Sequence, residues 1–307
     1  MTILHAANEL KAKGKKVCLA IGFFDGVHLG HQQIIRQTIT DAHQHNAVAV
    51  VLTFDCHPNS VVAPDRVPPL IYSLPQKLLA IKSAGADALL LIRFDEKFSE
   101  QTGEEFIRGL AREFEKIHSV CVGADFVFGY KRSGNVALLK KLGGELNFQV
   151  HGLAAVSLDG QVVSSTRIRE IIRAGNFDAA SQMLGRPYAI SGRVIEGGKV
   201  GRQLGFPTAN LEVTGQLLPP NGVYSGFTTM ETKPYQVALN IGFRPTILPA
   251  APRLQVEAHL LGFDGDLYGK ELKIEIGEKL RDERKFVSLT ELHEQIVLDI
   301  AQVKLGF

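Results

Sequence analysis

The hydrophobic pattern of this chain changes character once, near residue 187, and that change limits the possible folds more than any other feature. Before it, short apolar runs alternate with amphipathic segments. Val17 to Phe23, Ala47 to Phe54, Ala88 to Arg93, Ser119 to Gly123 and Leu146 to Val150 read as buried strands, each followed by a stretch that can hold a helix. That rhythm implies a parallel sheet with helices on both faces. The first such helix carries a stripe of Ile34, Ile35, Thr38, Ile39 and Ala42.

After the change, strands follow one another without intervening helices: Ala189 to Ile195, Val223 to Thr229, Tyr235 to Ile241, Leu254 to Leu261 and Leu272 to Ile276. Close-spaced strands between Gly, Pro and Asp turns predict a small antiparallel barrel, with Asp264 and Gly265 supplying one hairpin turn. The tail returns to helical spacing at Leu289, Leu292, Ile296, Ile300 and Val303, behind a capping box of Ser288 and Glu291, and this helix is expected to lie against the barrel. The boundary falls at "LGRPY", dividing residues 1–186 from residues 187–307. No internal repeat or low-complexity segment interrupts either half.

Composition narrows the function. With 307 residues, 45% hydrophobic and 21% charged, the chain can bury two cores. A formal net charge of +2 and the lack of a long basic block argue against a nucleic-acid binder that works by neutralising phosphates. The start of the chain has no cationic segment leading into an apolar core, and no run of about 18 apolar residues occurs, so a cytosolic protein without membrane contact is expected. Cys18, Cys56 and Cys121 are odd in number and far apart, which fits reduced, buried thiols.

Two motifs carry chemistry in the first half. "GFFDGVHLGH", residues 22–31, stands where a strand should end and a helix begin, the place where backbone N–H groups and the helix dipole favour anions. Gly22, Gly26 and Gly30 let the backbone approach a bulky anion, and His28 and His31 can donate to phosphate oxygens. The alternatives are a helix-capping His31 beside a loop His28, or a zinc site for which no motif supplies a third ligand. "SSTRIREII", residues 164–172, sets Ser164, Ser165 and Thr166 at a helix start, followed by Arg167 and Arg169, while Ile168, Ile171 and Ile172 mark the buried side. Hydroxyls and guanidinium together recognise phosphate, although a serine cap on a solvated basic helix has the same pattern.

In the second half, "GRQLGFPTANL", residues 201–211, is a glycine-bearing loop with Pro207 fixed, then Thr208 and Asn210, whose oxygens suit Mg²⁺ and phosphate. It lacks the Walker A pattern, and a Gly/Pro turn closing its own backbone bonds is the competing reading. Further on, Val256, Ala258 and Leu260 share one strand face, with Glu257 and His259 on the other. Glu257 is the candidate base for an alcohol attacking ATP, against the reading of a solvated face.

"GFFDGVHLGH" with "SSTRIR" resembles the nucleotidyltransferase module of prokaryotic bifunctional riboflavin kinase/FAD synthetases, and "VGADFVFG", residues 122–129, is similar to a third motif of that module. "LGFPTAN", "NGVYSG", "NIGFRPT", "VEAHLLGFDGDLYG" and "LRDERKF" resemble the family's riboflavin kinase domain, so the resemblance covers essentially the whole chain. It implies a Rossmann-like α/β domain followed by a six-stranded barrel and a helix. It also implies two reactions: riboflavin and ATP give FMN in the second half, and FMN and ATP give FAD and pyrophosphate in the first.

Carried over, it assigns Mg²⁺ to Thr208 and Asn210 and the base to Glu257. ATP falls to Gly22, Phe23, Asp25, Gly30, Ser164, Ser165, Thr166 and Arg169 in the first half, and to Gly201 and Arg202 with the metal ligands in the second. His28 and His31 would steady the α and leaving phosphates. Asp125 and Phe128 would contact FMN, and Arg281 and Asp282 would border the kinase flavin pocket. The implied partners are riboflavin, FMN, FAD and ATP, with a chain acting as a monomer or weak homo-oligomer. The sequence departs from the family at Cys56, commonly Pro, at Glu196, often His, and at Gly262, commonly Asp; these bear on affinity and loop geometry and remove no residue given a chemical role.

Overall fold

The computed structural model describes residues 1–10, 14–198, 200–244 and 253–305. The chain forms two compact units, one of residues 1–70 and 74–165, the other of residues 71–73 and 166–307.

The first unit is built on a six-stranded sheet: β1 (Thr2–Leu4), β2 (Val17–Ile21), β3 (Val48–Phe54), β4 (Ala88–Ile92), β5 (Ile117–Gly123) and β6 (Gln149–Leu153). Their spatial order is β1-β4-β3-β2-β5-β6, and every neighbouring pair is parallel. The connecting helices are α1 (Leu29–Gln44), α2 (Leu74–Ser83), α3 (Gly103–Phe114) and α4 (Val136–Leu146). Alternate residues of the strands feed two cores. Leu19, Ile21, Val50 and Leu52 join Ile107, Leu110, Leu139 and Leu142 of α3 and α4. Ala20, Val51 and Leu89 join Ile34 and Ile35 of α1 and Ile81 of α2. The expected helices on both faces are therefore present, and all five expected strands form.

The last of these is displaced. α4 runs through Leu146, and Asn147, in the left-handed region at φ 60°, ends it before β6 starts at Gln149. A short edge strand, β1, was not anticipated.

In the second unit, α5 (Ser165–Arg173) and α6 (Phe177–Leu184) precede a barrel of β7 (Ala189–Ile195), β8 (Ala209–Glu212), β9 (Gly222–Met230), β10 (Lys233–Arg244), β11 (Arg253–Leu260) and β12 (Glu271–Arg281), with α7 (Leu289–Leu305) at the end. The closed order is β7-β8-β11-β10-β9-β12, antiparallel throughout. The compact units divide at Ser165/Thr166, ahead of the boundary read near Pro187, because α6 packs on the barrel. Phe177 contacts the rings of Tyr188 and Tyr224, and Ser181 accepts from the Tyr188 N–H at 3.0 Å.

Asp264 and Gly265 do not make a hairpin. They lie in the connection from β11 to β12, which are not neighbours in the barrel. The tight hairpin instead joins β9 to β10 through Glu231 and Thr232, closed by the pair Met230↔Lys233. α7 lies against β9 and β10 as expected, and Gln236 donates to the Val303 carbonyl at 3.3 Å. Half of its capping box holds: Ser288 Oγ accepts from the Glu291 N–H, but the Glu291 carboxylate reaches the N–H of Val287.

Candidate active sites

The barrel strands alternate as the pleat requires. Val256, Ala258 and Leu260 of β11 and Val237, Leu239 and Ile241 of β10 are buried inside the barrel. The opposite faces, Gln255, Glu257 and His259 with Ala238, Asn240 and Gly242, line a cavity of about 430 Å³. It is walled also by Gly201, Phe206, Thr208, Arg281 and, from α7, Leu292, Ile296, Asp299 and Ile300. Glu257 and Thr208 thus open on one cavity of a size that suits a small-molecule site.

The strand register makes the grouping tighter. Asn210 pairs with Glu257 across β8 and β11, and Glu257 pairs with Asn240 across β11 and β10. Directly opposed residues share a face, so two side-chain amides flank the carboxylate. Thr208, two residues before Asn210, falls on the same side. Asn240 was not assigned a role from the sequence; only the register shows it beside Glu257.

Two glycines make room for the oxygen pair. A β-carbon on Gly197 would fall on the Asn210 amide group, and one on Gly201 would strike the Phe206 carbonyl oxygen and lie 3.3 Å from Thr208 Oγ1. Asn210 is buried and Thr208 half-buried. A hydroxyl and an amide oxygen, held in a glycine cradle beside a carboxylate, are a donor set that fits Mg²⁺.

Arg281 and Asp282 part company. Arg281 lines the cavity and grips the buried Asp299 of α7 with Nε at 2.9 and 3.1 Å and Nη2 at 2.8 Å. Gln295 donates to the same carboxylate at 2.8 Å. Asp282 is exposed and paired with Lys279, whose ammonium holds its carboxyl below the usual range, and it does not line the cavity. Arg202 is likewise exposed and off the cavity wall. Of the "NIGFRPT" motif, Pro245 and Thr246 lie outside the described residues.

In the first unit, β2 ends at Ile21 and the chain turns sharply into α1. Phe24, Gly26 and Val27 take positive φ values of 56°, 74° and 41°. For a β-branched valine this is a strained conformation, of the kind that clusters at functional sites. The turn sets His28 at the cap position of α1 and stacks its ring on His31 with centroids 3.6 Å apart. Phe24 meets His31 edge-on at 5.2 Å.

The glycines serve these rings. A β-carbon on Gly22 would press on the Phe24 ring at 2.9 Å, and one on Gly30 would lie 3.2 Å from the His28 ring. Gly26 alone answers a positive φ. Ser165, the last residue of the first unit, is tied to this turn: its Oγ donates to the Asp25 carbonyl at 3.2 Å. α5 begins at Ser165, with Ile168, Ile172 and Arg169 buried and Thr166 exposed.

Phe23 is held from below. Thr53 Oγ1 donates to its carbonyl at 2.9 Å, and the buried ammonium of Lys77 sits 4.2 Å from its ring centroid. Lys77 also donates to the Phe23 carbonyl at 3.3 Å and the Phe54 carbonyl at 2.7 Å, tying the ends of β2 and β3 together. Burial pushes its pKa down to about 8, against the opposing pull of Asp25 and Asp55. A lysine inside an amphipathic helix carries no sequence signal for this place.

In the third motif, Phe128 stacks on Phe126 at 5.1 Å and fills the space above Gly134, while Asp125 is exposed at the turn. Cys18 and Cys121 are buried, but Cys56 is half-buried. Among the described residues, no group of three or more His, Cys, Asp or Glu side chains is disposed to hold a metal ion.

Comparison with known proteins finds a different family model in each half of the chain. Residues 10–167 match the FAD synthetase family model, and residues 184–307 match that of riboflavin kinase. The bifunctional riboflavin kinase/FMN adenylyltransferase of Escherichia coli (strain K12) is 36% identical over 97% of this chain and 96% of its own. That of Haemophilus influenzae is 35% identical over 99% and 97%. A crystal structure described as a macrolide-efflux protein from Streptococcus pneumoniae, 26% identical, shares the fold over 98% of both chains with a TM-score of 0.82. Among the described residues, no helix of this chain is long and apolar enough to cross a membrane. With both domains matched in the order in which the two sites occur, the chain belongs to the family of bifunctional riboflavin kinase/FMN adenylyltransferases.

Proposed function

We propose that the barrel cavity phosphorylates riboflavin with ATP to give FMN, and that the histidine turn of the first unit joins FMN to the adenylyl group of a second ATP, giving FAD and pyrophosphate. The observation that carries the kinase reading is the register row Asn210, Glu257, Asn240, in which Glu257 and Asn240 line one cavity together with Thr208. Riboflavin offers a neutral primary alcohol, and Glu257 accepts its proton as the oxygen attacks the γ-phosphorus of ATP. Asn240 and Asn210 hold the carboxylate's neighbourhood polar from either side. Thr208 and Asn210 hold Mg²⁺, which when bound neutralises phosphate charge. Arg281 borders the flavin through its place on the cavity wall.

Adenylyl transfer makes a different demand. The phosphate of FMN already carries about 1.5 to 2 negative charges at neutral pH, so it attacks the α-phosphorus without a base. What it needs is alignment and donors where charge shifts onto the departing pyrophosphate. His28 and His31 supply donors at the start of α1, Gly22, Phe23, Asp25 and Gly30 shape the turn, and Ser164, Ser165, Thr166 and Arg169 complete the ATP site. Asp125 and Phe128 contact FMN. We place the functional division at residues 186/187 and the enzyme in the cytosol, as a monomer or weak homo-oligomer. The full chain incubated with riboflavin, ATP and Mg²⁺ should yield FMN and then FAD by chromatography, and a chelator should stop FMN formation; riboflavin left unchanged contradicts the reading.

A further inference from the structure

Among the described residues, β8 and β11 are joined by only two register pairs, Ala209↔Ala258 and Asn210↔Glu257. The next opposed positions would be Thr208 and His259, and there the ladder stops. Pro207, one residue further, has no N–H to offer, so the backbone alone cannot extend the pairing along this edge. Yet Thr208 is the residue whose oxygen must keep a fixed distance from Glu257.

His259 fills the gap. Its Nδ1 lies 2.8 Å from the Pro207 carbonyl oxygen. A carbonyl can only accept, so Nδ1 carries the hydrogen and the bond fixes the imidazole tautomer. The ring meets Phe206 edge-on at 5.8 Å, and Phe206 also packs on His293 of α7 at 5.3 Å. The segment Phe206 to Thr208 is therefore fastened to the strand that bears Glu257, on the cavity side and next to the threonine.

We propose that His259 is a positioning residue for phosphoryl transfer: by bonding the Pro207 carbonyl it locks the metal-binding segment onto the strand of the base. This rests on the reading of Thr208 and Asn210 as the Mg²⁺ ligands. The required group is a donor at the position of Nδ1. An asparagine places its Nδ2 there, a glutamine places its amide one bond further out, and a phenylalanine keeps the ring against Phe206 without a donor.

The test is equilibrium binding of ADP with and without Mg²⁺ by titration calorimetry, on the full chain and its variants, alongside kinase kcat. In His259→Phe the gain in ADP affinity given by Mg²⁺ should fall about five- to tenfold, the range that one hydrogen bond commands, and kcat should fall with it. His259→Asn should recover most of both, and His259→Gln should not. A His259→Phe chain with the wild-type Mg²⁺ gain, or an asparagine variant no better than phenylalanine, overturns the assignment of His259. Thr208→Val separates the underlying reading: if it leaves the Mg²⁺ gain intact, the metal ligands are elsewhere and the proposal falls with them.

Discussion

The contact between Arg281 and Asp299 fixes α7 across the kinase cavity, and its strength can be tested apart from catalysis. Asp299 is 4% exposed and accepts from Arg281 Nε, Arg281 Nη2 and Gln295. Replacing it with alanine leaves a guanidinium against an apolar hole and the Gln295 amide without that acceptor. Breaking a buried pair from one side is worth about 3 to 5 kcal/mol, and since the Arg281 side chain keeps 20% of its surface in water, about 3 kcal/mol is the better figure. For a domain of this size that lowers the unfolding midpoint by roughly 10 °C.

Circular dichroism and loss of kinase activity on heating should both record the change, with FAD formation from supplied FMN as the internal reference. The double variant Arg281→Met/Asp299→Leu removes both charges and should return to within about 1 kcal/mol of wild type. If Arg281 also meets the flavin, the repaired chain will be stable yet bind riboflavin with a raised KM. A double variant as unstable as Asp299→Ala would refute the reasoning, because the loss would then not come from an orphaned charge.

Lys77→Met should leave the first unit folded and reveal the buried ammonium by its pH dependence. The native pKa of about 8 lies below the ordinary 10.5, so the unfolded chain binds more protons between these values and wild-type stability rises with pH across that window. The wild-type minus variant difference in urea unfolding should grow by about 3 kcal/mol from pH 8 to 10.5, and flat difference curves would contradict it. Gly201→Ala forces a methyl group against the Phe206 carbonyl and Thr208, and should raise the Mg²⁺ requirement of the kinase about tenfold or more while FAD formation from FMN continues. A Mg²⁺ titration of each reaction checks it.

The architecture was legible because burial imposes period. Strands covered on both faces have to be continuously apolar, as β2 and β3 are, and barrel strands have to alternate, as Val256 to Leu260 do. What escaped lies where local signals compete. Leu146 is apolar enough to begin a strand, but it closes α4, and Asn147 takes the left-handed turn between them. Ala209 to Leu211 read as the end of a ligand loop, since only pairing with β7 and β11 makes Ala209–Glu212 a strand. Asp264 and Gly265 have turn chemistry without a hairpin, because the partner of β11 is set by barrel closure.

The site divides in the same way. Residue type and spacing single out Glu257, Thr208 and Asn210, and the structure sets Glu257 and Thr208 on one cavity with Asn210 opposite Glu257 in the register. Asn240, Lys77 and the Arg281–Asp299 clasp depend on register or on which helix face meets which strand, and a single sequence does not encode those as a pattern.

The most direct measurement uses two single variants and two starting flavins. His28→Ala given riboflavin, ATP and Mg²⁺ should accumulate FMN without FAD; Glu257→Gln should leave riboflavin largely unconverted, slowed about 10²- to 10⁴-fold, yet turn supplied FMN into FAD at the wild-type rate. If either substitution silences both reactions in a folded chain, or if Glu257→Gln still phosphorylates riboflavin normally, the two chemistries are not housed in separate sites built as described.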